Sequence, residues 1–216
     1  MSSDRGQLFV VSAASGSGKS TLVDRVTARL ENTGRVITCT TRAPRGQERD
    51  GVDYHFLTRD EFEHRISTGD FLEYARIHGG NLYGTSRTLL EQALSGGRDM
   101  FLVVDIQGAT AVRAAMPEAV FVFILPPSYR VLEERLRSRA IEDGVADSED
   151  LVERLETARQ EVRCVFEYSF VVVNDELERA STVLESLVIA HRSRLAQQRE
   201  RIDSILGTFG RENAHA

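Results

Sequence analysis

Apolar residues fall along this chain in two rhythms. Uninterrupted runs at Leu8–Val11, Met100–Val104, Ala119–Leu125 and Phe170–Val173 suit strands buried on both faces. Between them, apolar side chains recur every three or four positions: Leu22, Val26 and Leu30; Val131, Leu132 and Leu136; Leu151, Leu155, Ala158 and Val162. That spacing predicts helices. Thr58 with Glu61 reads as a capping box, Ser86 and Ser128 as N-caps, and Gly34, Gly69 and Gly96-Gly97 as helix stops. Strands alternating with helices predict an α/β fold, with a parallel central sheet between two helical layers.

Two regions depart from this rhythm. Residues 36–85 read mostly as short strands and turns: Arg35–Thr41, Gly51–Leu57, Phe71–Ile77 and a turn over Gly79–Thr85. They predict a β-rich subdomain inserted into the α/β pattern. From Glu176 to about Phe209 the chain reads as one long helix. Leu177, Leu184, Val188, Leu195, Ile202, Ile205 and Phe209 lie near a 3.5-residue spacing, interrupted by Ser181, His191 and Gln198. Such a tail packs on the core or pairs with a second chain, leaving a monomer or a homodimer. Residues 210–216 are expected to fray.

The chemistry concentrates after the first strand, in Ala13-Ala14-Ser15-Gly16-Ser17-Gly18-Lys19-Ser20-Thr21. A strand, a small-residue turn and a helix make a phosphate cradle, because loop amides and the helix N-terminus converge on an anion. Lys19 then reaches the β- and γ-phosphates, and the Ser20 hydroxyl suits Mg²⁺. Ala13 stands at the first glycine position of G-x-x-x-x-G-K-[ST]. Composition sharpens the reading: of 27 Lys and Arg residues, Lys19 is the single lysine. The lone compact ammonium occurs where a phosphate loop needs a point charge and not a planar fork.

Other charged residues are placed to serve the same site. Arg42 and Arg45 flank a proline just past a predicted strand and can converge on one anion. Asp105 ends an apolar strand, which delivers a carboxylate to the nucleotide edge of a sheet, where it could hold Mg²⁺ through water. It is equally placed to cap the helix over Gln107–Ala115. Arg135 and Arg139 share one helix face, and Arg154 lies on the next helix, beyond an acidic stretch at Ile141–Asp150. Two arginine-bearing helices joined by a polar loop suit a lid over phosphates.

The formal net charge of −6 argues against general nucleic-acid binding. Two cysteines make no disulfide framework, and no apolar run approaches a membrane span. A cytoplasmic protein, with no apolar leader at its start, is the expectation.

Taken together, A-A-S-G-S-G-K-S-T, T-T-R-A-P-R-G-Q-E, D-G-V-D-Y-H-F, F-L-E-Y-A, N-L-Y-G-T, V-D-I-Q-G and V-V-N-D resemble the guanylate kinases, over about residues 7–195. The resemblance implies a three-layer P-loop NTPase core (1–35, 86–135 and 159–195), an inserted GMP-binding subdomain (36–85), a helical lid (136–158) and a tail (196–216). It implies transfer of the γ-phosphoryl of ATP to GMP, with Mg²⁺. Arg42, Arg45, Tyr54 and Tyr83 would bind the GMP phosphate, with Glu48 supporting that loop. Thr38, Glu73, Thr85 and Asp105 would face the guanine: Glu73 can accept from N1–H and N2–H₂, and the two hydroxyls can donate to O6. Lys19, Arg135, Arg139 and Arg154 would gather the ATP phosphates, and Asn174 would close the adenine pocket. This chain departs from the family pattern at Ala13-Ala14, at Ala140, in a longer lid loop and at Gly79-Gly80. The tail past about residue 195 lies outside the resemblance.

Overall fold

A computed structural model describes residues 5–76, 80–142 and 149–209, without the side chains of Arg139, Glu142, Glu149 and Asp150. Ile77, Gly79, most of the predicted lid loop and the expected frayed end therefore lie outside the described residues.

Five parallel strands form the central sheet in the order β2-β7-β1-β8-β9. These are β1 (Leu8–Ala13), β2 (Thr33–Arg35), β7 (Asp99–Val103), β8 (Val120–Leu125) and β9 (Phe170–Val173). β1 is central and every residue in it is buried, which explains why its sequence does not alternate. Phe9, Val11 and Ala13 face the layer of α1 (Lys19–Arg29) and α7 (Leu177–Arg192). Leu8 and Val10 face the layer of α3 (Arg87–Ser95) and α4 (Ile106–Ala115). Ion pairs from Arg29 to Glu178 (2.6 Å) and Glu185 (3.5 Å) join α1 to α7 across the surface.

A second sheet, ordered β4-β3-β6-β5, contains β3 (Cys39–Thr40), β4 (His55–Phe56), β5 (Phe71–Arg76) and β6 (Leu82–Ser86). The predicted strand over Arg35–Thr41 is thus two strands in two sheets, because the chain leaves the large sheet after Arg35 and pairs anew at Cys39. The predicted turn over Gly79–Thr85 is mostly strand β6, paired antiparallel with β5. α2 (Arg59–Ser67) covers this sheet, its start fixed by the Thr58–Glu61 capping box in both directions. Phe62, Cys39 and Leu82 form its small core, with Phe71 stacked on Phe62 at 4.3 Å. Burial in that core pushes the Cys39 thiol up to about 11. Asp70, ahead of β5, accepts from Ser86 Oγ (2.8 Å), Thr88 N (3.0 Å) and Thr88 Oγ1 (2.6 Å). Its carbonyl accepts from Arg87 N, so one residue ties the second sheet to the start of α3.

α5 (Tyr129–Glu142) and α6 (Glu149–Glu161) pack as a hairpin, followed by a 3₁₀ turn over Val162–Glu167. The Arg159 guanidinium lies 4.4 Å from the Tyr129 ring centre and staples the base of the hairpin. The long C-terminal helix is in fact two helices, α7 and α8 (Arg199–Phe209). No proline or glycine marks the break. The Gln198 side chain instead donates to Arg192 O at 2.7 Å, satisfying a carbonyl that the next helical turn would have taken.

Candidate active site

The site grows from the carboxyl end of β1, between β7 and β8. Gly16 and Gly18 turn the chain at φ +82°, a conformation that glycine adopts without a Cβ penalty. Gly18 is the N-cap of α1 and contributes no side-chain cap, which leaves the helix-start amides for a ligand. Lys19 opens α1 half-buried, and Ser20 and Thr21 are exposed beside it.

The loop is braced from three directions. Ala13 and Ala14 point into the protein, and Ala14 packs among Leu132, Leu136, Leu155 and Ala158 of the helical hairpin. A Cβ on Gly16 would stand 2.9 Å from Leu136, so the hairpin forms the outer wall of the loop. Inside the loop, Ser17 N donates to Ala14 O at 3.2 Å. From the end of β9, buried Asn174 donates Nδ2 to Ser17 O at 2.8 Å, and its own carbonyl accepts from Arg135 Nη2 at 3.0 Å. Arg135 Nη1 is buried without an acceptor among the described residues, as befits a cation that receives an anionic ligand. Arg154 is half-buried on α6.

A cavity of about 920 Å³ lies between the two sheets. Thr38, Glu48, Tyr54, Glu73, Tyr83 and Asp105 all line it, along with Gln107 and Gly108 of α4. At one end, Arg42 is almost fully buried. It donates Nε to Tyr83 Oη (3.1 Å), Nη1 to Ala43 O (2.8 Å) and Nη2 to Glu48 Oε1 (2.9 Å). The Tyr54 and Phe56 rings flank it at 5.1 and 6.0 Å. The Arg42 hydrogen bond holds the Glu48 carboxyl below the usual range, helped by the Arg45 amide. Arg45 itself is exposed, whereas Arg42 is buried against Glu48, Tyr54 and Tyr83, which line the cavity.

At the other end sits Glu73. Burial raises its carboxyl above the ordinary range against the Thr85 hydrogen bond, and the Asp105 charge raises it further. Thr85 Oγ1 donates to Glu73 Oε1 at 2.5 Å, so its proton goes to the carboxylate. Asp105 accepts from Gly108 N at 2.7 Å and caps α4, while also facing the cavity. A phosphate loop thus stands beside a second pocket whose walls bring an arginine–tyrosine cluster and a half-buried carboxylate together.

The comparisons match this pairing. A family model described as guanylate kinase matches residues 5–191. The chain belongs to the guanylate kinase family. It is 41% identical to a guanylate kinase of Nitrosospira multiformis over 211 residues, covering 98% of both chains. Against that of Neisseria gonorrhoeae it is 44% identical over 194 residues, 90% of this chain and 92% of the relative. The crystal structure of guanylate kinase from Anaplasma phagocytophilum superposes with a TM-score of 0.68 at 30% identity, covering 92% of this chain and 94% of that one. The Nitrosospira alignment runs into the tail past residue 195, which the motifs alone had placed outside the likeness.

Of the residues singled out in the sequence, the phosphate loop, Asn174 and Arg135 converge at one place, and Arg42, Glu48, Tyr54, Glu73, Tyr83, Thr85, Thr38 and Asp105 at the adjoining one. The Arg139 side chain lies outside the described residues. Sequence reasoning missed two members of this guanylate kinase site: Phe56, which backs Arg42, and Glu161, whose Oε2 accepts from Ser15 N at 3.0 Å. Glu161 did leave a signal, because an acid in the last turn of a helix opposes the dipole and calls for a partner.

Among the described residues, no group of three or more His, Cys, Asp or Glu could hold a metal ion. Exposed Ser20 beside the open helix start fits Mg²⁺ that arrives with nucleotide phosphates, since this ion keeps several waters and needs few protein ligands.

Proposed function

We propose that this chain transfers the γ-phosphoryl group of ATP to GMP, giving ADP and GDP. The observation that carries the reading is the half-buried Glu73 carboxylate in the wall of a cavity that is also lined by Glu48 and Tyr83, the hydrogen-bond partners of Arg42. Guanine presents adjacent N1–H and N2–H₂ donors to an acceptor-only group, whereas adenine has neither donor at that edge. Arg42 and Tyr83 receive the acceptor's phosphate, and Glu48 keeps the guanidinium oriented for it.

Lys19, Arg135, Arg139 and Arg154 neutralise the triphosphate, and Asn174 fixes the loop that cradles it. Ser20 would hold Mg²⁺, with Asp105 reaching it through water; the ion supplies charge neutralisation on the phosphates. Little covalent work falls to the protein, so alignment and electrostatics supply the rate. The attacking phosphate oxygen is already ionised, and no side chain has to remove a proton. Residues 36–85 act as the GMP-binding subdomain and 136–158 as the lid, closing so that water does not intercept the transfer. The chain works in the cytoplasm, as a monomer or as a dimer through its C-terminal helices. Its exposed apolar residues Ile205, Leu206 and Phe209 on α8 support the dimer.

Coupled turnover of ATP with a panel of nucleoside monophosphates tests the reading. GMP should be strongly preferred; equal rates with AMP would refute it.

A further inference from the structure

A polar contact from the end of α6 holds the phosphate loop on its hairpin side. Glu161 is the last residue of that helix, and its carboxylate accepts the Ser15 amide at 3.0 Å. A carboxylate there faces the negative end of the α6 dipole and stands beside a loop shaped for anions. Both placements are unfavourable alone, so the contact with Ser15 is what accounts for the acid at this position. Around it the loop also touches the same hairpin through apolar groups: Ala14 sits in the α5–α6 core and Gly16 abuts Leu136. Apolar contacts fix distance but not the rotation of a peptide plane. A hydrogen bond to one amide does fix it, because turning the Ser15 peptide away would leave its N–H without an acceptor.

The loop's amides therefore divide into two sets. Ser15 N and Ser17 N are committed to Glu161 and to Ala14 O, and Asn174 holds the Ser17 carbonyl. With the Ser17 carbonyl held by Asn174, the Gly18 amide of the same trans peptide is turned away from Asn174 and stands at the open start of α1.

We propose that Glu161 is a positioning residue for ATP. It pins the Ser15 peptide so that the phosphate loop is pre-formed, and it ties that loop to the base of the lid hairpin. This rests on the ATP:GMP phosphotransfer reading. Glu161 touches no reacting atom; it acts through the loop.

The test compares Glu161→Ala with Glu161→Gln, whose amide oxygen still accepts the Ser15 N–H. Losing a hydrogen bond of this kind corresponds to ~10-fold in an equilibrium constant. Glu161→Ala should raise both the KM for ATP and the directly measured ATP Kd by about that factor, with the KM for GMP within ~2-fold. Glu161→Gln should restore ATP affinity to within ~3-fold of the parent, since a neutral acceptor serves the same geometry. Exchange of the Ser15 amide should be slow in the parent and in Glu161→Gln, and fast in Glu161→Ala. Unchanged ATP affinity in Glu161→Ala would overturn the proposal, as would equal weakening of GMP, or failure of glutamine to rescue. If Glu161→Ala does not fold, the glutamine variant and the exchange rates still decide. ATP binding is read without turnover, so a parent chain that binds ATP but does not phosphorylate GMP would refute the phosphotransfer reading and not this one.

Discussion

Replacing Glu73 by glutamine separates what this residue does for binding from what it does for folding. In the ligand-free protein the carboxylate is a burden: it is half-buried and loses part of its hydration, and the Asp105 charge also opposes it. Glutamine removes the charge and keeps an oxygen for the Thr85 hydroxyl, now 2.5 Å away. Stability should hold or rise. Binding should move the other way. A charge-assisted hydrogen bond contributes ~1.5–3 kcal/mol, and guanine's N1–H and N2–H₂ engage two. Glutamine offers a single acceptor, already shared with Thr85, and presents its NH₂ to a base edge that is itself a donor. The loss is therefore ~3–6 kcal/mol, or ~10²–10⁴ in kcat/KM for GMP. ATP affinity should stay within about threefold of the parent, since the phosphate loop is untouched. Steady-state kinetics with each substrate varied, together with thermal melting, check both halves. A kcat/KM for GMP within about tenfold of the parent would remove Glu73 from the base pocket.

Lys19→Arg should lower turnover by about 10³-fold or more although charge is kept, because a planar fork replaces a compact ammonium in a tight loop; near-normal kcat would put the phosphate-loop assignment in error. The pH profile of kcat/KM for GMP should carry an acid limb above the ordinary glutamate range, reflecting the raised Glu73 carboxyl, and Glu73→Gln should lack it. The same group acts oppositely on folding: its stabilising contribution is fully present at low pH and is lost as pH rises through the raised folded-state value, which melting of the ligand-free protein will show. Phe62→Ala empties the centre of the small core beneath β3 and β6 and should cost about 3–5 kcal/mol; hydrogen exchange should rise in the smaller sheet first and leave β1 and β7 protected.

Strands β1, β7 and β8 were legible in the sequence because they are buried and read as apolar runs. β9 carries the same run at the sheet edge, where Phe170, Val171 and Val173 are exposed and only Val172 is buried, and β2, Thr-Gly-Arg, has no such run. The phosphate loop was legible because its chemistry needs fixed spacing within a few residues. What escaped depends on contacts between distant positions. Nothing between Arg35 and Thr41 says that the chain changes sheets, since both halves carry β-formers. The stop at Arg192 is made by a glutamine side chain six residues on, where punctuation by glycine or proline was the only readable signal. Likewise the residues that gather around Glu73 could be named from the motifs, but not that Thr85 spends its proton on Glu73. The partnership of Ser15 with Glu161 joins positions 146 apart in the chain and left only a misplaced acid as its trace.

Asp70 bears on inheritance of specificity. Its carboxylate and carbonyl grip Ser86, Arg87 and Thr88, so the second sheet, proposed above to bind the acceptor, is fastened to the start of α3. A segment exchanged between two such enzymes to alter the accepted base would, if cut after Thr85, part Asp70 from the three residues it holds. The donor's aspartate would then face the recipient's helix start. The natural cassette runs from the Val36 crossing through Thr88, and a chimera joined there carries both halves of the fastening from one parent.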